Sequence, residues 1–334
     1  MAKKKLIGFE IGSYKMKMAL CENGVVEDYV NVKVPDNLVK DDEIVSWEAM
    51  ADFIKETLEE HKMAAKEAAI ALPDKLTYIA RMTMPLMTID QLKVNLPFEF
   101  HDYITEDIDK YYYDYSVISI DHEAVNGKGE MDLMGVAVQK ETIDKYKTMF
   151  RRAGLRLTLA APEASAYRNI IKDYEEVHNI TEKKDYAILD LGHRTIKLYF
   201  FTKGEFEVTR YMEPGCSSLI TAAADKDAVD EHIAQINAEN NKDGVLSSDP
   251  LNDIYGQIGV EIMRVMNFYG FNHPDNDLDK IYYCGGGANI RPLIDSISEA
   301  AGYQMVSIGE LITDDTALKN EIVQGPQALG IVWE

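Results

Sequence analysis

Basic residues are scarce in this chain of 334 residues: 35 Lys and Arg stand against 57 Asp and Glu, a net charge of −22. A nucleic-acid binder would carry a basic stripe, and a protein docking directly on anionic lipid a basic face, so the balance argues against both. Cysteine is nearly missing as well. Cys21, Cys216 and Cys284 lie far apart with no C-x-x-C pair, which indicates neither a disulfide framework nor a zinc site and fits a reducing compartment. No stretch approaches the roughly 20 apolar residues needed to span a bilayer. The MAKKK start resembles a signal-peptide n-region, but the apolar run after it breaks at Glu10 and no small-residue cleavage site follows. The expected location is therefore cytoplasmic, with any membrane attachment through a partner. G-x-S-x-G, H-E-x-x-H and Walker A patterns are lacking, and the seven histidines show no metal spacing.

What the chain does have is a repeat. LIGFEIGSYKMKMALCENG (6–24) and YAILDLGHRTIKLYFFTKG (186–204) align at one offset of 180 residues, pairing Glu10 with Asp190, Gly12 with Gly192, Lys17 with Lys197 and Gly24 with Gly204. Each copy reads as strand, acid-x-Gly turn, strand, glycine turn. A separation this large means two similar domains rather than a solenoid of period about 20–50 residues. The length suits two domains with real cores. Tight glycine turns aim backbone N–H groups at anions. Two such turns facing each other, each behind a carboxylate, would hold a Mg-polyphosphate between the domains.

Periodicity places the remaining elements. Strands follow one another over 6–34. Trp47, Met50, Phe53, Ile54, Thr57 and Leu58 mark a helix with Ser46 as N-cap, and AAIAL (68–72) is a strand. Residues 76–157 read as a small α+β unit of order strand, helix from Thr88, strand, strand, helix, its two helices covering one sheet face. Its hairpin turns at Asn126-Gly127-Lys128-Gly129, and Gly154 ends its second helix. Pro162 opens another helix. The polar segment 237–250 reads as a mobile loop, before a long helix over 254–271 and a buried strand, KIYYC. The expected organisation is a first domain of 1–75, 158–185 and about 310–334, an inserted subdomain of 76–157, and a second domain of 186–309 whose outer part is 226–274.

Three sites carry candidate chemistry. At Glu10-Ile11-Gly12-Ser13, the N–H groups of Gly12, Ser13 and Tyr14 face a phosphate. Lys15 and Lys17 share one strand face, and one of them would neutralise a β- or γ-phosphate. Asp190-Leu191-Gly192-His193-Arg194-Thr195 is the second copy. Gly285-Gly286-Gly287 lies at a strand end and a helix start, a place for a phosphate or ribose. Glu261 and Arg264, one turn apart on the preceding helix, either face a nucleoside or form a solvated i,i+3 pair.

These three loops, in this order, resemble the phosphate-one, phosphate-two and adenosine motifs of the actin/Hsp70/FtsA ATPase superfamily. LPDKLTYIARMTMP, FEFHDYITEDIDKYYYDYSVIS, MDLMGVAVQKETIDKYKTMFRRAGL and EIMRVMNFYGFNHPDNDLDKIYYCGGGANI are similar to the PilM family of type IV pilus assembly, over nearly the whole chain. The resemblance implies an α/β, actin/Hsp70-like duplicated ATPase fold, two domains around a nucleotide cleft, with a small α+β insertion of the FtsA/PilM type. It implies ATP and Mg as ligands, and as partner the cytoplasmic N-terminal peptide of a PilN-like inner-membrane protein. Self-association is a further possibility that the acidic charge opposes.

Residue by residue, Gly12, Ser13 and Lys17 match the first phosphate loop, Asp190, Gly192 and Thr195 the second, Gly285, Gly286 and Gly287 the adenosine loop, and Glu261 and Arg264 the nucleoside-facing helix. Glu10 and Asp190 would reach Mg through water. Phe98, Glu99, Phe100, Tyr103 and Ile104 lie on the segment expected to line or support a partner groove, the alternative for each being core packing. Three departures stand out. Glu10 replaces the family's usual Asp, His193-Arg194 replaces small residues, and Ala161 falls where relatives carry an acid or amide that positions attacking water. Hydrolysis is therefore expected to be slow at most. Two other readings belong to the same superfamily. An FtsA-like cell-division tether would need a linker and basic amphipathic helix that do not follow Gly330-Ile331-Val332-Trp333-Glu334, and a sugar or acetate kinase would need a cleft base near the second phosphate loop.

Overall fold

The computed structural model describes residues 5–40, 43–123, 129–314 and 316–333. The first half opens with three antiparallel strands, β1 (Lys5–Ile11), β2 (Lys15–Glu22) and β3 (Val25–Lys33), then a two-residue ribbon of β4 (Val39–Lys40) and β5 (Glu43–Ile44). Helix α1 (Trp47–Glu60) and strand β6 (Glu67–Leu72) follow. Strand β6 lies parallel to β1, and β10 (Arg156–Pro162) lies parallel to β6, giving a sheet of order β10-β6-β1-β2-β3. The second half repeats this plan with β11 (Tyr186–Leu191), β12 (Ile196–Thr202), β13 (Glu205–Met212), β14 (Lys280–Cys284) and β15 (Gln304–Ser307). Its order is β13-β12-β11-β14-β15, again three antiparallel strands flanked by two parallel ones. The repeat is thus the visible part of a fully duplicated sheet.

The duplication reaches backbone conformation. Glu10 pairs across its hairpin with Lys17, and Asp190 with Lys197. The second turns use the same left-handed pair, Asn23 (φ 55°) and Gly24 (φ 85°) in one copy, Lys203 (φ 51°) and Gly204 (φ 76°) in the other. That double positive φ matches the twist of a two-residue hairpin.

Alternation along β1 and β11 decides which way the acids point. Ile7, Phe9 and Ile11 pack outward with α1 and with α3 (Lys140–Arg152), while Ala187, Leu189 and Leu191 pack outward with α5 (Ser217–Asp227), α7 (Asp249–Asn272) and α8 (Arg291–Ala301). The residues between them therefore face inward, toward a shared core. This inner core is built on α4 (Glu163–Val177) and on the segment holding α9 (Lys319–Ile322) and α10 (Gln327–Gly330). Tyr167, Ile170, Ala328 and Leu329 are fully buried there.

Between β6 and α3 sits a three-stranded antiparallel sheet of order β7-β9-β8, from β7 (Thr77–Pro85), β8 (Tyr111–Asp121) and β9 (Glu130–Gln139). Helix α2 (Ile89–Glu99) covers one face through Leu92 and Leu96, with Phe100 and Ile104 beyond it. Its start is fixed by a capping box between Thr88 and Gln91.

Several expectations need correction. Helix α3 does not cover the inserted sheet. Tyr146, Met149 and Phe150 bury into the core of the first large sheet instead, because an amphipathic face follows the larger apolar surface. RLTLAAP forms the edge strand β10, which shows no alternation of buried and exposed residues that pattern reading could follow. Segment 237–250 contains the end of α6 (Glu231–Glu239), a 3-10 turn over Lys242–Ser247 and the start of α7. Its polar residues are the solvent side of helices rather than a loop. The hairpin tip at 126–128 and Glu334 lie outside the described residues.

Candidate functional site

The inward-facing acids meet in a narrow cavity of about 100 Å³ between the two large sheets. Gly12, Ser13 and Tyr14 line it from the first hairpin, and Gly192, His193, Arg194 and Thr195 from the second. The turns are built alike. Gly12 donates its N–H to Lys15 O (3.1 Å), and a Cβ on Gly192 would stand 2.4 Å from Thr195 O. Carbonyls of the second turn are held from outside, since Gly215, Cys216 and Ser217 donate to Arg194, Gly192 and His193.

Charge in the cavity is dense. Glu10 lies 2.7 Å from Lys17 Nζ, and Lys197 donates to Glu163 at the start of α4. The Tyr199 hydroxyl lies 2.7 Å from Glu163 and 3.1 Å from Asp74, with one proton for the two carboxyls, and Tyr211 donates to Asp74 (3.2 Å). Asp190 accepts from Tyr167 (3.0 Å) and from Gln327 Nε2 (2.7 Å). Burial pushes Glu163 up to about 7 against the pull of Lys197, and also raises Glu10 and Asp74. Burial alone would lower Lys197, but the charges of Glu163, Asp74 and Asp190 hold its ammonium well above the usual lysine range. Glu10, Glu163 and Asp190 share the cavity lining with Lys15, Lys17, Arg194 and Lys197, so charges of both signs face the same space.

The third glycine loop closes one end. Gly285 has φ +91°, and a Cβ there would strike Asp190 Oδ1 at 2.4 Å. A Cβ on Gly287 would meet Cys216 Sγ at 2.7 Å, whereas one on Gly286 would meet nothing within 4 Å. Two glycines serve close packing on β11, and the middle one faces open space. A second cavity of about 400 Å³ shares Tyr14, Lys15, His193, Gly286 and Gln324 with the first, and adds Gly287, Asn289, Ile290, Ile220 and Leu246. A polar slot thus adjoins a wider, partly apolar chamber. At their junction Tyr14 stacks on His193 (4.9 Å between ring centroids) and donates to Glu239 (3.2 Å), which also lies 3.3 Å from Lys15.

Glu10, Gly12, Ser13, Tyr14, Lys17, Asp190, Gly192, Thr195, Gly285 and Gly286 therefore border one cavity, with Gly287 in the adjoining chamber. Glu261 and Arg264 border neither. They pair with each other on the exposed side of α7, so of the two readings of that pair the solvated one describes them. Asp74, Glu163, Gln324 and Gln327 went unnoticed in the sequence; only the adjacent Pro73 and Pro162 marked the places of the first two. All three thiols are buried, and burial raises each of them, so none is a poised nucleophile.

Among the proposed groove residues, Phe98, Glu99 and Tyr103 are exposed while Phe100 and Ile104 are buried beneath the small sheet. Tyr103 borders a further cavity of about 260 Å³, between β7 and β13, with Tyr78, Ile79, Phe206, Val208 and Tyr211 as its apolar walls and Asp74 and Glu207 as its acids.

The family model for the type IV pilus assembly protein PilM matches residues 8–320. The chain belongs to the PilM family. Among solved structures, a PilM-PilN type IV pilus biogenesis complex superposes with a TM-score of 0.79 at 18% identity, covering 98% of this chain and 97% of that one. The ethanolamine utilization protein EutJ from Carboxydothermus hydrogenoformans gives 0.59 at 14% identity, covering 99% and 89%. Ta0583, an archaeal actin homolog, gives 0.51 at 12% identity over 98% of both chains. At these identities the likeness concerns the fold: this PilM-family chain has the actin-like ATPase architecture, duplicated as its sheets indicate. Among its described residues no helix is long and apolar enough to cross a membrane.

Proposed function

We propose that this PilM-family chain is a cytoplasmic nucleotide-binding scaffold, peripheral to the inner face of the cytoplasmic membrane. It holds Mg-ATP between its two hairpins and grips the cytoplasmic N-terminal peptide of a PilN-like inner-membrane partner. The observation that carries the nucleotide reading is the pairing of two like-built glycine turns, each behind an inward carboxylate, across one slot that opens into a wider chamber. Phosphates suit the slot and a nucleoside the chamber. Among the described residues no three acidic, histidine or cysteine side chains converge on a bare metal ion. Glu10 and Asp190 would hold Mg through its water shell, which that ion gives up reluctantly. Bound there, the ion would offset negative charge on the phosphates. Glu163 is tied to Lys197 and Tyr199, and Asp74 to Tyr199 and Tyr211. Asp74 does not border the slot, which leaves Glu163, among the described residues, as its one acid outside the two hairpins.

Calorimetric titration with Mg-ATP and Mg-ADP tests the nucleotide reading. Saturable one-site binding is expected, and no heat from either would leave the loops as architecture alone.

For the partner, the exposed Phe98 and Tyr103 are the anchors. Alanine at either should weaken a PilN-like N-terminal peptide about tenfold, as loss of an aromatic anchor does, with the melting temperature held. Fluorescence anisotropy with a labelled peptide reads this, and unchanged affinity in both variants would move the groove elsewhere.

A further inference from the structure

The segment 323–327 supplies Gln324 and Gln327 to the wall of the slot, and its geometry is specific. Tyr29 and Asn31, from β3, donate to Gly325 O (3.1 Å) and to Gln324 Oε1 (3.0 Å). From the other half, Gly285 donates to Val323 O (2.9 Å). Gly325 lies so close to the first hairpin that a Cβ there would stand 2.8 Å from Lys17 Cγ and 2.9 Å from Glu10 Oε2. The next side chain in the slot is Gln327, only 3% exposed.

Gln327 sends its Nε2 to Asp190 Oδ2 (2.7 Å). That bond fixes the amide orientation, because a carboxylate accepts and the amide nitrogen must donate. The other end of the amide, Oε1, is buried and has no hydrogen-bond partner among the described residues. A buried carbonyl oxygen without a donor costs about 1–3 kcal/mol, so the arrangement is complete only when something in the slot donates to it. A phosphate oxygen does not qualify, since acceptor would face acceptor. Neither does a bare cation, because no three ligating side chains converge here among the described residues. A water does, whether alone or in the shell of a divalent cation, and the acceptors around it favour the second. The outer surface of that shell consists of water protons, and Glu10, Asp190 and Gln327 Oε1 are three acceptors bordering the same slot.

We propose that Gln327 is a positioning residue for a hydrated divalent cation: it braces Asp190 with its amide N–H and accepts a hydrogen bond from a cation-bound water with Oε1. The inference rests on the nucleotide reading above, and it assigns to the 323–327 segment a role that neither hairpin fills. It also explains why a glycine precedes Pro326, since any larger residue at 325 would displace the Glu10–Lys17 pair.

The test is linkage between metal and nucleotide. ADP affinity is measured by calorimetry with Mg²⁺ and with EDTA, in wild type and in Gln327→Met, which keeps the volume and loses both polar ends. Wild type should bind ADP more tightly with Mg²⁺. Gln327→Met should lose most of that gain, about tenfold or more by analogy with other outer-sphere partners of metals, while its metal-free affinity stays within about twofold. A merely structural defect would lower both affinities together. Tyr167→Phe removes the other hydrogen bond to Asp190 Oδ2 (3.0 Å) and leaves the Gln327 acceptor in place. Its loss should be clearly smaller, and an equal loss would reduce Gln327 to a brace and overturn the acceptor role. If Gln327→Met keeps the full Mg²⁺ gain, the proposal fails while the nucleotide reading stands. If wild type binds no nucleotide at all, the nucleotide reading fails. The proposal is then decided by counting bound Mn²⁺ on the free wild-type and Gln327→Met chains by electron paramagnetic resonance. One bound ion per wild-type chain that Gln327→Met loses keeps it, and no bound ion, or one that the variant retains, ends it.

Discussion

Replacing Lys197 by methionine should destabilise the protein by about 3–5 kcal/mol at neutral pH, the usual effect of removing one partner from a buried ion pair. Lys197 is the cation to which Glu163 and Asp74 of the first half and Asp190 of the second answer. Its side chain is 17% exposed, it donates to Glu163, and the charges of Asp74 and Asp190 act on it as well. Methionine fills similar space and leaves those acids facing one another. The loss should shrink on acidification, and the sign follows from Glu163. Burial holds that carboxyl at about 7 in the native protein against an ordinary 4.5. Between those values the native state binds more protons than the unfolded chain, so stability from this group is full below about 4.5 and lost as pH rises through about 7. Without Lys197 the opposing pull is gone, the native carboxyl rises further, and the penalty at pH 8 exceeds that at pH 5.5. Urea denaturation at the two pH values measures this directly. A variant as stable as wild type at pH 8 would show that the ion pair contributes nothing net.

The glycine loop yields the second large effect, as a contrast between neighbours. Gly285→Ala should unsettle the fold, because its backbone sits at φ +91° and the new methyl would lie 2.4 Å from Asp190 Oδ1 and 2.8 Å from Leu191 N. Backbone strain of roughly 1–3 kcal/mol adds to the clash, since φ 91° with ψ 179° is a region that only glycine enters readily. Gly286→Ala should leave the melting temperature where it is, since its methyl meets nothing within 4 Å. Yet Gly286 borders both the slot and the chamber, so that methyl occupies ligand space, and nucleotide affinity should fall at least tenfold. Thermal melts and calorimetry on the two variants separate a packing glycine from a binding one. Unchanged nucleotide affinity in Gly286→Ala would mean that the ligand does not cross this junction.

Legibility in the sequence followed the range of the physics. Glu10, Gly12, Asp190 and Gly192 were readable because a hairpin is local, and the same hairpin occurs twice at one offset. Strand alternation also put Lys15 and Lys17 on one face, and both border the slot. Gln327 was not readable, since its only signal is a bond to a residue 137 positions away. Glu163 and Asp74 looked like ordinary residues after prolines, and only the approach of β12 to the start of α4 and the end of β6 turned them into neighbours of Lys197 and Tyr199. Ala161 drew attention as a missing acid, while the buried acid of that wall stands two residues later. The polarity of 237–250 was misread because a helix solvated on one side and a loop share a composition. Glu261 and Arg264 fell on the outer face of α7, where helical spacing alone leaves two sides open.

The position of the closing segment bears on how the molecule is made. One face of the first sheet is covered by Ala328, Leu329, Ile331, Val332 and Trp333, and the Trp333 indole N–H donates to Gly24 O across 309 positions of chain. During synthesis at about 5–20 residues per second, the opening hairpin leaves the ribosome many seconds before its cover does. Until then Ala19, Cys21 and Tyr29 present an apolar, unpaired surface to the cell. Such long-range closure folds slowly, and the waiting sheet is a natural client for a holding chaperone. The second sheet turns Ile188, Tyr199 and Phe201 into the same core but waits for less chain, since its first strand begins only at residue 186.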